Sequence, residues 1–106
     1  MGGVIPGADT TILAPLRERI DAIDVALVDL FAERVRIVRE VIDVKERHEI
    51  PARLPDRVEA VVARVRAHAE AKTCPPDLAE AVWRTVIEWT IAFEEQHMAH
   101  STKPTK

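Results

Sequence analysis

The sequence predicts an all-α protein, a three-helix protomer with one long N-terminal helix. Three observations predict it. Apolar residues recur at alternating spacings of four and three along most of the chain, the period of one helix face. The composition favours Ala, Val, Leu, Ile, Glu and Arg and holds only 3 Gly in 106 residues, too few turn formers for a many-stranded fold. Prolines at 51, 55, 75 and 76 divide the periodic pattern into three stretches.

The first stretch carries Leu16, Ile20, Ile23, Leu27, Leu30, Arg34, Val38 and Val41 on one stripe. Pro15 suits a first turn, and Glu18, Asp21 and Asp24 favour the positive end of the helix dipole. With no breaker before Pro51, the helix is expected over about residues 13–48, on the order of 50 Å at 1.5 Å per residue. A second helix begins at Pro55 and Asp56, with Val58, Val61, Val62, Val65 and Ala69 as its stripe, and ends around Ala71. The Thr73-Cys74-Pro75-Pro76 stretch separates it from a third helix. That helix carries Leu78, Val82, Thr85, Trp89, Ala92 and Gln96 at the same spacings and is expected to fray after His97. The helical domain then covers residues 11–98, between a flexible N-terminus (1–10) and a polar C-terminal tail (99–106).

The second helix covers only about half of the first, so the apolar stripe of a ~50 Å rod stays partly wet in a monomer. A homodimer pairing two long helices removes that exposure. A monomeric coiled-coil-like hairpin is the alternative.

Bulk properties exclude several function classes. Hydrophobic residues at 47% and charged residues at 31% mark a globular chain, not a disordered one. A net charge of −3 gives no reason to expect a nucleic-acid partner. No apolar run spans a bilayer, so no membrane is expected, and Met1–Gly7 lacks the pattern of a signal peptide. Cys74 is the single cysteine and cannot form an internal disulfide, so a cytoplasmic location is the default. His48, His68, His97 and His100 are scattered along the chain, read as surface residues, and form no metal-binding cluster.

The informative residues break the apolar pattern. Arg34 occupies a stripe position where the spacing calls for leucine. Lys45 follows eleven positions later, which returns it to within about 20° of the same face, with Val38 and Val41 between. Ile87, Thr90 and Glu94 share one face of the third helix. Arg57 opens the second helix, and Arg17 lies in an Arg-Glu-Arg run near the start of the first. Singly, each has an ordinary reading. Arg34 snorkels or pairs with an acid, Lys45 caps a helix dipole, Arg57 pairs with Asp56 and Glu59, and Arg17 and Glu94 are plain surface. Together, several inward cations need a counter-anion, because unpaired buried charge is costly. A small dianion supplies one, and arginine grips carboxylates through bidentate hydrogen bonds.

These residues resemble the all-helical chorismate mutase family, which also contains isochorismate-pyruvate lyases. The similarity covers about Leu13 to His97. It is carried by Leu16-Arg17-Glu18-Arg19-Ile20-Asp21-Ala22-Ile23-Asp24, by Leu30-Phe31-Ala32-Glu33-Arg34, by Lys45, by Pro55-Asp56-Arg57 and by Val86-Ile87-Glu88-Trp89-Thr90-Ile91-Ala92. The resemblance implies an intertwined helical homodimer with two shared sites and no cofactor or metal. It implies that Arg34, Lys45, Arg57 and Glu94 come from one subunit and Arg17 from the other. Arg34 and Arg57 would hold the two carboxylates of the substrate, with Arg17 and Lys45 sharing the second. Lys45 and Glu94 would face the ether oxygen, and Thr90 would place a hydroxyl near a carboxylate. The implied activity is the pericyclic rearrangement of chorismate to prephenate, a step of aromatic amino acid biosynthesis. That reaction needs orientation and electrostatic stabilisation, not a nucleophile.

Three positions depart from the family's usual pattern. Glu94 stands where many relatives have glutamine, and a glutamate donates to an ether oxygen only when protonated. Leu54 and Val58 are apolar where typical mutases carry acids, the one at position 58 gripping the C4 hydroxyl. Val58 and the Ile87–Ala92 segment look more like the isochorismate-pyruvate lyase branch. The reading is therefore chorismate mutase first, with isochorismate-pyruvate lyase as the alternative. A mutase for an amino analogue of chorismate and a non-catalytic dimerisation module follow. Some small mutases work with a partner enzyme, which the sequence neither requires nor excludes.

Overall fold

A computed structural model describes the backbone of residues 8–101 and the side chains of residues 12–98. These residues form three helices, α1 (Ala8–His48), α2 (Pro55–Ala71) and α3 (Pro76–Ser101), and no strand. Helix α1 starts earlier than expected, and Pro15 lies inside it rather than in its first turn. The reason is local: Ala8 to Ala14 contains no helix breaker, and Gly7 and Pro6 are the nearest ones upstream. Residues 8–10 of the expected flexible start are thus helical, and residues 1–7 lie outside the described residues. Helix α3 likewise continues past His97 to Ser101, while residues 102–106 of the expected tail lie outside.

The chain divides into two compact units, residues 1–36 and 37–106. In the first, the stripe read from the sequence is open to solvent: Leu16 is 52% exposed, Ile20 56%, Ile23 60%, Leu27 45% and Leu30 60%. Val25 and Val28, on a neighbouring face, are exposed as well.

In the second unit, α2 and α3 pack against each other. Val61 and Val62 of α2 meet Ile87 and Ile91 of α3, and Ala52 from the α1–α2 connection completes this core. Val58, Val65, Trp83 and Met98 pack around it, and Val38 and Ile42 are the buried residues of α1. The expected α2 stripe is the one that faces inward. On α3 the outcome differs: Leu78, Val82, Thr85, Trp89, Ala92 and Gln96 are exposed, and the buried face is Ile87, Thr90, Ile91 and Glu94. Helix α3 carries two seams with the same alternating period, so spacing alone did not say which one the hairpin covers.

Both connections are built alike. At the end of α1, the Glu49 N–H reaches the Glu46 carbonyl (3.4 Å) and the Ile50 N–H reaches the Lys45 carbonyl (2.8 Å). At the end of α2, the Thr73 N–H reaches Glu70 (3.3 Å) and the Cys74 N–H reaches Ala69 (2.8 Å). These paired bonds close helix ends through one left-handed residue, here Glu49 (φ 55°) and Thr73 (φ 58°). A proline follows each turn, Pro51 and Pro75, and stops the helix from resuming. Leu54 precedes Pro55 and is extended (φ −123°, ψ 99°), as the residue before a proline must be.

The exposed side of the hairpin is laced by charge. Arg84 bonds Glu59 (3.1 Å) and Glu80 (2.7 Å), and Arg66 bonds Glu80 (2.7 Å) and Asp77 (3.2 Å).

Candidate active site

The second unit brings together two of the residues singled out in the sequence. Lys45 lies in the last turn of α1 and Glu94 on the inner face of α3. The Lys45 ammonium donates to Glu94 Oε1 at 2.8 Å, with side chains only 12% and 7% exposed. It also donates to the carbonyl oxygen of Ala52 at 2.9 Å. An ammonium has three N–H donors, so one remains beyond these two acceptors. The pairing satisfies both charges in a place where neither is well solvated.

Around this pair, Thr90 is buried and its hydroxyl donates to the Val86 carbonyl at 2.7 Å. Donation from Thr90 to a bound carboxylate therefore requires the hydroxyl to rotate away from its own helix. Ile87 is buried in the core, Val58 packs against that core, and Leu54 is half-buried at the N-cap of α2. Arg57 is exposed in the first turn of α2 and takes part in none of the ion pairs among the described residues. The expected pairing of Arg57 with Glu59 does not form, because Glu59 is held by Arg84 across the hairpin.

Arg17 and Arg34 belong to the first unit, where Arg17 is exposed and Arg34 half-buried. The pair Lys45 and Glu94 is thus joined within the second unit, while the two arginines lie in the first. Among the described residues no group of three or more His, Cys, Asp and Glu is arranged to hold a metal ion. No helix is long and apolar enough among them to cross a membrane.

Sequence reasoning missed three contributors. The Ala52 carbonyl is a backbone group and carries no side-chain signature. Arg53 and Glu88 form a two-bond fork (2.9 and 2.7 Å), yet they lie 35 residues apart and each reads as plain surface. Arg39 sits over the Phe93 ring at 5.1 Å, and that ring stacks on Trp89 and lies tilted against His97. The i, i+4, i+8 spacing of Trp89, Phe93 and His97 was the available signal for the last of these.

The profile of the chorismate mutase type II family matches residues 16–95, and the chain belongs to that family. It is 45% identical over 82 residues to the T-protein of Enterobacter agglomerans, covering 77% of this chain and 22% of that protein. It is 30% identical over 99 residues to the 4-amino-4-deoxychorismate mutase of Streptomyces pristinaespiralis, covering 93% of this chain and 77% of that one. With the chorismate mutase of Methanocaldococcus jannaschii it shares 26% identity over 94 residues, 89% of this chain and 95% of the relative. The chain spans about a fifth of the length of the T-proteins it matches.

Proposed function

We propose that this protein is a chorismate mutase, an isomerase that converts chorismate to prephenate within one molecule. The observation that carries the reading is Lys45, a largely buried ammonium held by Glu94 and the Ala52 carbonyl with one donor left over. In the reaction the ether C–O bond breaks as a C–C bond forms, and negative charge gathers on the ether oxygen. A preorganised donor at that oxygen stabilises the transition state more than the ground state. Lys45 supplies it, and Glu94, which holds that ammonium, faces the same oxygen.

The cationic side chains hold the substrate in the folded conformer. Arg34 and Arg57 take the two carboxylates, Arg17 reaches in from a second copy of the chain, and Thr90 adds a hydroxyl. The exposed row from Leu16 to Leu30 supports the dimer that this sharing needs, because a second copy is what removes it from water. Leu54, Val58 and Ile87 line the remaining side with apolar surface.

The 30% relative, whose name specifies an amino analogue, supports a second reading in which the ring carries an amine, although apolar Leu54 and Val58 offer an ammonium no acid partner. Purified protein is assayed side by side with chorismate, isochorismate and 4-amino-4-deoxychorismate, identifying products. Prephenate formed at the highest kcat/KM is the expected result. Salicylate and pyruvate from isochorismate with little prephenate would make it a lyase, and preference for the amino compound would establish the second reading.

A further inference from the structure

The connection between α1 and α2 is tied down at three successive points. The Ile50 N–H holds the carbonyl of Lys45 itself, Ala52 is buried in the core, and Arg53 grips Glu88 on α3. The Ala52 carbonyl and the Arg53 nitrogen belong to one peptide group, and a peptide group is planar and stiff. Restraining the Arg53 backbone therefore restrains the direction of the Ala52 oxygen. That oxygen is one of the two acceptors that orient the Lys45 ammonium.

We propose that Arg53 and Glu88 are a positioning pair for Lys45, acting through the Ala52–Arg53 peptide. Neither touches the reacting atoms. Their fork holds the peptide plane on α3, so that the Ala52 oxygen and Glu94 Oε1 take two N–H donors of Lys45 and leave the third aimed at substrate. Arginine is the side chain suited to this, because its two parallel bonds to one carboxylate fix an angle as well as a distance. Exposed ion pairs contribute little to stability, so the geometry of this one matters more than its strength. The same helix then carries both controls on the ammonium, Glu94 directly and Glu88 through the connection.

The inference rests on the mutase reading for its kinetic consequence, though its structural part is read independently. Arg53→Ala and Glu88→Ala are compared with wild type and with Arg84→Ala, which breaks an exposed pair elsewhere on the hairpin. Two readouts are taken. One is kcat and KM on chorismate. The other is the ¹H–¹⁵N spectrum of the lysine ammonium groups, in which only Lys45, Lys72, Lys103 and Lys106 contribute and Lys45→Arg identifies the Lys45 signal.

Arg53→Ala and Glu88→Ala are expected to lower kcat by on the order of ten- to a hundred-fold with KM nearly unchanged, the mark of a misdirected transition-state donor. Both broaden or erase the Lys45 ammonium signal, and Arg84→Ala does neither. The charge exchange Arg53→Glu with Glu88→Arg recovers part of both readouts. An unchanged Lys45 signal in Arg53→Ala overturns the proposal, as does a loss of kcat that the exchange leaves unrelieved while the melting temperature is normal. If wild type leaves chorismate untouched but the signal broadens as described, the positioning role stands and the mutase reading fails.

Discussion

The ammonium of Lys45, at the end of α1, and the carboxylate of Glu94, on α3, meet at 2.8 Å, and through this contact the proposed catalysis would be coupled to stability. Lys45→Ala removes the proposed donor at the ether oxygen, and kcat is expected to fall by at least about 10²–10³-fold. It also strands a nearly buried carboxylate, which costs about 3 kcal/mol or more. The double variant Lys45→Ala/Glu94→Gln separates the two effects. Thermal unfolding should recover much of the lost stability, while the prephenate assay stays silent. An active Lys45→Ala enzyme would remove Lys45 from the mechanism.

The proposed sharing of the site between subunits predicts complementation. Arg17→Ala and Lys45→Ala proteins are each inactive alone. Mixed and allowed to exchange, they form heterodimers with one intact site, and about a quarter of wild-type activity returns at equal amounts if assembly is random. Native mass spectrometry confirms the exchange. Heterodimers without activity would place Arg17 in the same site as its own chain's Lys45.

Glu94 donates to the ether oxygen only as the neutral acid. Glu94→Gln keeps the amide donor at all pH values. Its kcat on chorismate is expected to equal or exceed that of wild type, and a large loss would count against this role.

Acid stability has a separate origin. Hydrogen bonds from Arg84 and then Arg66 hold the Glu80 carboxyl below the usual carboxylate range, and Arg53 does the same for Glu88. A group depressed on folding contributes stability above its unfolded pKa and loses it as pH falls through the folded value. Wild type should thus lose stability on acidification below the ordinary glutamate range. Glu80→Gln/Glu88→Gln should be less stable at neutral pH and less sensitive to acid. Parallel curves from chemical denaturation at several pH values would show that these pairs do not matter.

Thr73 holds a left-handed conformation at the end of α2, at φ 58°. A β-branched residue is costly there, and glycine takes it without strain. After allowing for the greater freedom of an unfolded glycine, Thr73→Gly should stabilise the fold by on the order of 0.5–1 kcal/mol. Equilibrium unfolding decides it, and a lower midpoint would mean that the Thr73 side chain contributes more than its backbone costs.

Most of the helical framework was legible from spacing and prolines, because Pro51, Pro55, Pro75 and Pro76 all fall at real breaks. The inner face of α2 was legible too, since Val58, Val61, Val62 and Val65 form its single apolar stripe. The left-handed geometry of the turns was not, because Glu49 and Thr73 occupy positions that glycine usually announces. The inner face of α3 escaped as a stripe because Leu78–Gln96 and Trp83–Glu94 repeat with the same period. In the site, Lys45 and Glu94 stood out as charges on inward faces. Ala52, Arg53 and Glu88 did not, since a backbone acceptor and an exposed pair 35 residues apart leave no short-range pattern.

The open apolar row on the first half of α1 has a consequence for how much protein a cell must make. If a second copy covers that row, folding and pairing are one equilibrium, and each tenfold drop in subunit concentration takes about 1.4 kcal/mol from it. Activity shared across the pair then grows faster than linearly with expression at low abundance and linearly once pairing saturates. Gene dosage would then set a threshold, below which newly made chains meet proteolysis before they pair.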